Sequence, residues 1–495
     1  MKYQVVIGLE IHSELKTNSK MFCSFLNDPN ERHPNVNICP VCAGHPGTLP
    51  VINEDAVKKV IKTGLALNCK IQEFSKFDRK NYFYPDLPKG YQISQYDKPL
   101  CLEGHLDVVA KNQDGVEEKK RIGITRIHLE EDTGRLAHPE GADFSLVDFN
   151  RAGVPLMELV SEPDIKSGDQ AKKFAEEFQT ILRYLKISDA DMEKGQMRVE
   201  VNISLNKAGE KFGTKVEIKN LNSFRSVEKS IDYEIKRQSE ILGEGGKIIQ
   251  ETRGWNDVQE KTVSQREKEE AHDYRYFPEP DLPPLVFTKE EIERIKKEIS
   301  ELPEQRRKRF KKEYLLEDRE IDFFIQNKDL GEYFEKISSE IGVWTKDRGI
   351  AQNESKNVLK LSANYIINDL QGLLKGISVG GEDFLITPEN FAEFTTYIYE
   401  GAISSGSAKI ILSEMFSTGK DPSDIIKEKD LGQVSEIGEL EMIAKKIIEE
   451  NPQAVDDYKK GKGNASQFLT GKAMAATKGK ANPQTLQELF KNLLS

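Results

Sequence analysis

The stretch from residue 124 to residue 135 carries polar side chains at a spacing that could support chemistry. Ile127 and Leu129 alternate there with His128 and Glu130, which is the period of a β-strand with one dry face and one polar face. An imidazole and a carboxylate on one strand face are typical of the wall of a reaction site. A strand whose polar face is simply solvated fits this single segment about equally well.

The same alternation recurs in three further segments, and each of them offers a carboxylate beside a basic or amide side chain. The polar positions of the four segments together include Glu10, His12, His128, Glu130, Arg198, Glu200, Asn202, Glu217 and Lys219. If the four strands lie in one sheet, their carboxylates converge, and they repel one another unless a cation holds them. The pattern therefore predicts a hard divalent metal. Because Mg²⁺ usually arrives with phosphate, the neighbouring Lys and Arg predict an ATP-dependent phosphoryl-transfer site.

The composition predicts a soluble globular protein of several domains. The chain has 495 residues, of which 31% are charged and 37% hydrophobic, and this length corresponds to about three domains. No apolar run approaches the roughly 20 residues that span a membrane, and the N-terminus shows neither a signal-peptide core nor an Arg-rich transit segment. Five Cys indicate a reducing compartment, so we expect a cytoplasmic protein. The net charge of −11 limits nucleic-acid contacts to local basic patches.

Three cysteines stand close together near the N-terminus. Cys39 and Cys42 form a C-x-x-C pair, and Cys23 precedes them. A structural zinc site normally takes four ligands, often as two such pairs. Cys23 is thus a candidate third ligand, with His33 or His45 as the fourth, and the alternative is a set of free, partly buried thiols.

The segment 78–99 interleaves five aromatic residues with basic residues and three prolines. A rigid loop of this kind suits an unpaired nucleotide end, because bases stack on rings and phosphates meet Lys and Arg. A Pro-rich loop packed on the core explains any single Tyr about as well. The candidate binding residues are Lys80, Tyr82, Tyr84, Lys89 and Tyr91, to which we add Asn150 and Arg151 from a turn between two apolar runs.

Strand patterns dominate residues 1–290 and helical periods dominate the rest, which predicts an α+β fold. Its expected parts are an N-terminal cradle domain on a mixed or antiparallel sheet (1–290), an all-helical domain (291–405) and a small helical tail (406–495). Helical spacing also predicts helices over 170–185 and 227–242. Thr288 and Glu291 form a capping-box pattern where the helical region starts.

Two segments of the helical region are basic. Residues 305–312 are the densest basic run and are interpreted as a solvated helix face, with an RNA-backbone contact as the alternative. The tail is rich in lysine, which predicts a contact with RNA that weakens as salt rises. The candidate tail residues are Lys459, Lys460, Lys462, Lys472, Lys478 and Lys480.

Several long motifs together resemble one family, the B subunits of the aspartyl/glutamyl-tRNA amidotransferases (GatB). They include G-L-E-I-H-S-E-L at 8–15, C-P-V-C-A-G-H-P-G-T-L-P-V-I-N at 39–53, H-L-E-E-D-T-G at 128–134, M-R-V-E-V-N-I-S at 197–204 and V-E-I-K-N-L-N-S at 216–223. The resemblance covers essentially the whole chain, and the tail resembles the YqeY-like module of that family. The zinc-binding members carry C-x-C before the C-x-x-C pair, whereas Phe25 stands at the second of those positions here.

The resemblance implies a subunit of a glutamine-hydrolysing aminoacyl-tRNA amidotransferase, a carbon–nitrogen ligase. Such enzymes phosphorylate the side-chain carboxylate of Glu-tRNA(Gln) or Asp-tRNA(Asn) with ATP, and ammonia then converts the acyl phosphate to the amide. By the family's pattern, the magnesium candidates are Glu10, His12, Glu130 and Glu217. The residues expected to position ATP and the substrate carboxylate are His128, Arg198, Glu200, Asn202 and Lys219, and the Tyr82–Tyr91 loop is expected to receive the tRNA acceptor end.

Ammonia is expected to come from a partner protein. The sequence contains no Gly/Ser-rich amidase signature and no clear glutaminase nucleophile. The family pairs this subunit with an amidase-type A subunit and a small C subunit, which implies a heterotrimer. A non-catalytic tRNA-binding scaffold is the competing interpretation. A zinc-dependent hydrolase has no His-x-x-x-His ligand pair to support it.

Overall fold

A computed structural model of the chain describes residues 3–207, 212–267, 274–349, 352–432, 437–459, 463–477 and 481–494. The chain divides into two compact units, Met1–Pro303 and Glu304–Ser495. Within the described ranges, none of the helices is both long and apolar enough to cross a membrane.

The first unit holds all the strands that the structure describes, together with four helices. The strands are β1 (Gln4–Glu14), β2 (Lys70–Ile71), β3 (Phe74–Ser75), β4 (Asp78–Asn81), β5 (Tyr91–Ser94), β6 (Cys101–Lys111), β7 (Glu117–Glu131), β8 (Arg135–Ala137), β9 (Leu146–Asp148), β10 (Pro155–Ser161), β11 (Met197–Asn206), β12 (Val216–Lys219), β13 (Glu251–Asn256), β14 (Lys261–Glu267), β15 (Arg275–Pro278) and β16 (Leu285–Val286). The helices are α1 (Glu54–Ala66), α2 (Gly168–Tyr184), α3 (Phe224–Gly243) and α4 (Lys289–Lys297).

Nine strands form one mixed sheet in the order β14-β13-β12-β11-β1-β10-β7-β6-β2. The pair β12–β13 is parallel, and every other neighbouring pair is antiparallel. Alternation along β1 buries Ile7, Leu9 and Ile11 almost completely in the main core. Helices α1, α2 and α3 contribute to the same core, so they cover the apolar face of the sheet and leave the polar side chains on the other face.

Local capping explains where these helices begin. The side chains of Asn53, Ser167 and Ser223 accept backbone N–H hydrogen bonds at the starts of α1, α2 and α3. Helices α2 and α3 match the two helices predicted from spacing, whereas α1 was not predicted. Its short apolar stripe, which includes Val57, Val60 and Ile61, follows the cysteine segment directly.

The segment 78–99, expected as a loop, contains strands β4 and β5. They form a three-stranded sheet in the order β15-β4-β5, so the pairing partner of β4 comes from nearly 200 residues further along the chain. Short polar strands of this kind are invisible to local periodicity, because the hydrogen-bonding partner decides their conformation. Gly90, with φ of 73°, belongs to the turn between them. Two smaller pairs, β16–β3 and β8–β9, complete the strand connections.

The named secondary-structure elements of the second unit are all helices within the described residues. Its helices are α5 (Pro303–Tyr314), α6 (Asp318–Gln326), α7 (Lys328–Asp347), α8 (Gln352–Tyr365), α9 (Gln371–Leu374), α10 (Pro388–Tyr399), α11 (Ser405–Thr418), α12 (Pro422–Glu428), α13 (Ile437–Glu450), α14 (Pro452–Lys459), α15 (Gly463–Ala476) and α16 (Pro483–Leu494), with a π-helical turn at Ile366–Leu370. Helices α13, α15 and α16 share a small core of their own. The α+β class predicted from the sequence is confirmed.

The boundary expected at residue 290 falls inside α4, which belongs to the first unit. Ile295 of α4 is buried in the main core, and Lys62 of α1 pairs with Glu298 at 2.7 Å. In the second unit, the basic run 305–312 lies on α5. Arg306 is 3% exposed and pairs with Glu335 at 2.5 Å, so part of this run serves packing within the unit.

Candidate functional site

The nine polar residues predicted from strand alternation lie on one face of the nine-stranded sheet. His12 is the register partner of both Glu158 and Arg198, and Glu158 is the partner of His128. Glu10 is likewise opposite Glu200 on the neighbouring strand. Because register partners in a sheet point to the same side, β7, β10, β1, β11 and β12 present their polar side chains together.

Four of the nine side chains form a compact group with Glu158 of β10, and we call this group the acidic centre: Glu10, His12, His128, Glu130 and Glu158. His12 Nε2 lies 3.4 Å from Glu158 Oε2, 3.7 Å from Glu130 Oε1 and 3.8 Å from Glu10 Oε1. His128 Nε2 lies 3.4 Å from Glu158 Oε2 and 3.7 Å from Glu130 Oε2. Two overlapping sets of three ligand atoms, Glu10–His12–Glu158 and His128–Glu130–Glu158, have the proximity that a metal ion needs.

Because the acidic centre is buried, its charged groups strongly shift one another's pKa values. Burial and the charge of Glu158 raise the pKa of Glu10 to about 7. Burial acts to lower the pKa of His12, but its hydrogen bond to Glu158 and the charges of Glu130 and Glu10 raise it to about 9. The acidic centre therefore stabilises positive charge, and a divalent cation supplies more of it than a proton does.

Glu158 is the member of the acidic centre that strand alternation does not predict. It lies on β10, where six of the seven residues are buried, so the alternation that marks a polar face is lost. Burial disfavours its charged form, yet the neighbouring His128 and His12 hold its pKa well below its ordinary value. The signal that could have found it is a single carboxylate within an otherwise apolar strand.

Glu217, a predicted metal ligand, stands apart from the acidic centre. It accepts a hydrogen bond from Thr252 at 2.7 Å and lies 3.6 Å from Lys219 Nζ. Lys219 also pairs with Glu200 at 2.8 Å. Strand β11 separates β12 from β1, so Glu217 is displaced from Glu10 by about two strand spacings, or roughly 10 Å. The structure therefore brings Glu158, and not Glu217, into the group around His12.

Arg198 and Asn202 complete the polar face on β11. Arg198 Nη2 lies 2.9 Å from Asp132 Oδ2, and Arg151 Nε approaches the same oxygen at 3.6 Å. Asn202 Oδ1 is buried and has no hydrogen-bond partner within the described ranges. Asn150 instead braces the neighbouring loop, where its side chain bonds to the backbone of His33 and Asn37. Of the two turn residues predicted to bind substrate, only Arg151 contacts the polar face.

The residues predicted to receive the acceptor end separate onto two faces of the three-stranded sheet. Register places Lys80 on the same face as Gln92, whose side chain donates to the Glu131 backbone oxygen at 2.8 Å. Tyr82 packs beside Lys80 on this face. Tyr91 lies on the opposite face under the Arg79 guanidinium, 4.4 Å from the ring centroid. Lys89 forms a buried ion pair with Glu131, and Tyr84 is 59% exposed.

Three thiols gather as the sequence predicted, and among the described residues no fourth His, Asp or Glu ligand atom joins the group. The sulfur atoms of Cys23, Cys39 and Cys42 all lie within 4.8 Å of one another. The Lys20 amine lies 3.8 Å from Cys42 Sγ and donates to the Ala152 oxygen at 2.7 Å. His33 is exposed and pairs with Glu31, whereas His45 lines a cavity of about 90 Å³ beside the thiols. Three thiols beside a buried amine do not fit a closed four-ligand zinc site.

We expect the purified protein to carry clearly less than one zinc ion per chain. The matched variant is Phe25→Cys, which restores the C-x-C spacing and supplies a fourth thiol; we expect it to bind about one zinc. Mass spectrometry of the metal content after dialysis measures both. One tightly held zinc in the unaltered chain would contradict this prediction.

Two of the predicted tail lysines can be placed. Lys459 ends α14 and Lys472 lies on α15, and both are exposed. The Lys472 amine lies 5.5 Å from the centroid of the Phe468 ring, which is 48% exposed. Lys460, Lys462, Lys478 and Lys480 lie outside the described residues.

Comparison with known proteins identifies the family of this chain. Residues 5–293 match the GatB/GatE catalytic domain, and residues 349–494 match the GatB domain. The chain is 47% identical over its full length to the B subunit of the aspartyl/glutamyl-tRNA(Asn/Gln) amidotransferase of Caldanaerobacter subterraneus subsp. tengcongensis, and covers 100% of that protein. It is equally similar, at 47%, to the corresponding B subunits of Carboxydothermus hydrogenoformans and Persephonella marina, covering 99% and 100% of them. The chain therefore belongs to the family of aspartyl/glutamyl-tRNA(Asn/Gln) amidotransferase B subunits.

Proposed function

We propose that this chain is the subunit that phosphorylates the side-chain carboxylate of Glu-tRNA(Gln) or Asp-tRNA(Asn) and hosts its conversion to the amide. The observation that carries the proposal is the acidic centre, which shares one sheet face with Lys219 and Arg198. Such a face offers carboxylates for a hard cation and basic groups for phosphate oxygens.

The chemistry needs phosphorylation because a carboxylate is a poor electrophile whose leaving group would be oxide. Transfer of the γ-phosphoryl group from ATP gives an acyl phosphate and ADP. Ammonia then attacks the acyl carbon and the carbon–oxygen bond to phosphate breaks. The nitrogen loses one proton to the departing phosphate, so the products are the amide and hydrogen phosphate. The main burden on the protein is to align the reactants and to neutralise the phosphate charge.

The acidic centre supports a magnesium site. Glu10, Glu130 and Glu158 would supply carboxylate oxygens to the ion, and His12 would lie beside them. Glu217, which is paired with Lys219, would contribute its carboxylate from further along the sheet face. The ion, when bound, would neutralise charge on the phosphate oxygens of ATP. Lys219 stays charged here, since the carboxylates of Glu200 and Glu217 raise its pKa against the opposing effect of burial.

The remaining polar groups would position the substrates. Arg198 is held by Asp132 and still has 35% of its side chain exposed, so it is able to meet a substrate carboxylate or phosphate. His128, Glu200 and Asn202 would orient these groups from the same face. Lys80 and Tyr82 border the acidic centre and would receive the acceptor end of the tRNA.

The proposal includes partners, because no residue of the acidic centre is a glutaminase nucleophile. An amidase-type A subunit would release ammonia from glutamine, and a small C subunit would complete a cytoplasmic heterotrimer. The tail lysines, including Lys459 and Lys472, would contact the tRNA(Gln) or tRNA(Asn) backbone.

Trapping the acyl phosphate tests this function directly. The assembled amidotransferase, supplied with mischarged tRNA, ATP and Mg²⁺ but with hydroxylamine in place of glutamine, should form the side-chain hydroxamate with one ADP per product. Deacylated tRNA is the control and should give neither. The proposal would be contradicted if the amide formed without ATP, or if deacylated tRNA gave as much ADP as mischarged tRNA. This chain would then be a scaffold that holds the tRNA.

A further inference from the structure

The segment that carries Cys39 and Cys42 brings two free thiols close enough to react with each other. Their sulfur atoms lie 3.7 Å apart, and Cys23 Sγ lies within 4.8 Å of both. A disulfide bond is about 2.0 Å long, so the gap to bonding distance is about 1.7 Å. The C-x-x-C spacing is also typical of thiols that form and break a disulfide.

Cys42 is the thiol whose surroundings favour attack on an oxidant. The Cys39 backbone N–H donates to Cys42 Sγ at 3.1 Å, and the Lys20 amine lies 3.8 Å from the same sulfur. Lys20 is 0% exposed, and no carboxylate oxygen of the described residues pairs with its amine within 4.0 Å. A buried ammonium needs an anion beside it, and the Cys42 thiolate supplies one. A positive charge and an N–H donor in turn stabilise the thiolate, which is the reactive form of a thiol.

A cavity gives a small oxidant access to this sulfur. The cavity has a volume of about 90 Å³, and both Cys23 and Cys42 belong to its lining, together with Lys89 and Glu131. One water molecule needs roughly 15 Å³ of such volume, so a molecule as small as hydrogen peroxide fits. Cys42 is only 5% exposed, so the cavity is its route of contact with dissolved oxidants.

The amine beside the thiols also holds a turn at the polar face of the nine-stranded sheet. Lys20 Nζ donates to the Ala152 backbone oxygen at 2.7 Å and lies 3.4 Å from that of Phe149. Arg151 belongs to this turn, and its Nε lies 3.6 Å from Asp132 Oδ2. Lys20 therefore connects the thiols to the turn that positions Arg151.

We propose that Cys39 and Cys42 are a peroxide-sensitive thiol pair, and that their disulfide releases the turn that positions Arg151. The Cys42 thiolate attacks one oxygen of hydrogen peroxide, so an S–O bond forms, the O–O bond breaks and hydroxide leaves. The Cys39 thiolate then attacks this sulfur, so the S–S bond forms, the S–O bond breaks and a second hydroxide leaves. The two hydroxides take up the two thiol protons. Two thiols are thus oxidised to a disulfide, and one peroxide is reduced to two waters.

The disulfide removes the anion beside Lys20. Its ammonium is then buried without a charged partner, which is costly, so Lys20 and the turn leave their present arrangement. Displacing a substrate-positioning group by about 1 Å costs up to roughly 10²-fold in rate, and we expect amide formation to slow by about 10-fold or more. The effect on the rate rests on the proposed function, whereas formation of the disulfide does not.

Peptide mapping of the assembled amidotransferase tests the disulfide. After brief exposure to hydrogen peroxide, the remaining free thiols are alkylated and the protein is digested with trypsin. Cleavage after Arg32 and Lys58 places Cys39 and Cys42 in one peptide and leaves Cys23 in another. The expected product is the 33–58 peptide without alkyl groups and lighter by two hydrogens, and dithiothreitol should restore its alkylation. Two free thiols in this peptide, or a bond from either of them to Cys23, overturn the inference.

The rate of single-turnover amide formation, with ammonium chloride as the nitrogen donor, tests the connection to Arg151. Peroxide should slow the unaltered complex by about 10-fold or more, and dithiothreitol should restore its rate. Cys42→Ser, compared with its own untreated rate, should not respond to peroxide. Cys23→Ser is the matched control from the same cluster and should respond as the unaltered chain does.

Each result decides the inference. A disulfide that leaves the rate unchanged overturns the connection to Arg151, as does an equal response of Cys42→Ser. If a variant fails to fold, the peptide map and the rate of the unaltered complex decide instead. The peptide map needs neither ATP nor tRNA, so the disulfide is detected even if the proposed phosphoryl transfer is wrong.

Discussion

Replacing Glu158 by Gln is expected to lower ATP-dependent amide formation by about 10²- to 10³-fold or more. Glu158 is the one residue common to both candidate ligand sets, and its carboxylate lies 3.4 Å from His12 and 3.4 Å from His128. Gln keeps the volume but removes the charge, so both His side chains lose their main anionic partner and a cation loses a ligand. The measurement is single-turnover conversion of mischarged tRNA by the assembled amidotransferase, with ammonium chloride as the nitrogen donor.

Ammonium chloride makes the assay independent of the partner that releases ammonia, and tRNA binding measured by filter retention should stay within about twofold. Glu162→Gln is the matched control, since Glu162 follows the same strand but is exposed, and its carboxylate accepts a hydrogen bond from the Thr125 hydroxyl at 2.6 Å. Full activity of the Glu158 variant would show that the acidic centre takes no part in the reaction. Equal loss in Glu10→Ala and Glu130→Ala would extend the result to the sequence-predicted ligands.

Alternation was enough to place the polar face of the sheet. Glu10, His128 and Arg198 each sit between buried apolar neighbours, so a strand with one dry face fixes their side before any pairing is known. The convergence of these strands in one sheet was a hypothesis, and the pairing of β1 with both β10 and β11 is the topological fact behind it. The α+β class followed from the same change of period along the chain.

The features that the sequence did not predict depend on contacts between residues that lie far apart in the chain. Alternation does not mark Glu158, because its strand is buried on both faces. Glu217 pairs with Lys219 and accepts a hydrogen bond from Thr252. Tyr91 appeared to belong with Tyr82, but the pairing of β4 with β5 places the two on opposite faces. The local pattern predicts the face of the strand on which a side chain lies. Only the strand register shows which other side chains it contacts there.

Replacing Glu131 by Ala is expected to cost about 3–5 kcal/mol of unfolding free energy in the first unit. The Glu131 carboxylate pairs with Lys89 and accepts the Ile93 backbone N–H at 2.9 Å, and the paired side chains are 4% and 10% exposed. Removing the carboxylate leaves an ammonium and an N–H buried without their partner, which is costlier than losing the pair itself. Trp255 is 3% exposed in this unit, so in a Trp344→Phe background its fluorescence reports the denaturant transition.

Two further variants separate this explanation from a general loss of packing. Asp189→Ala breaks the pair with Lys16, whose atoms lie 2.8 Å apart but whose side chains are 63% and 55% exposed, so it should cost at most about 1 kcal/mol. The double variant Lys89→Met/Glu131→Leu removes both charges and should regain much of the stability lost in Glu131→Ala, because no buried charge is left unpaired. If the double variant is no more stable than Glu131→Ala, the loss comes from the packed volume and the buried ion pair is not its cause.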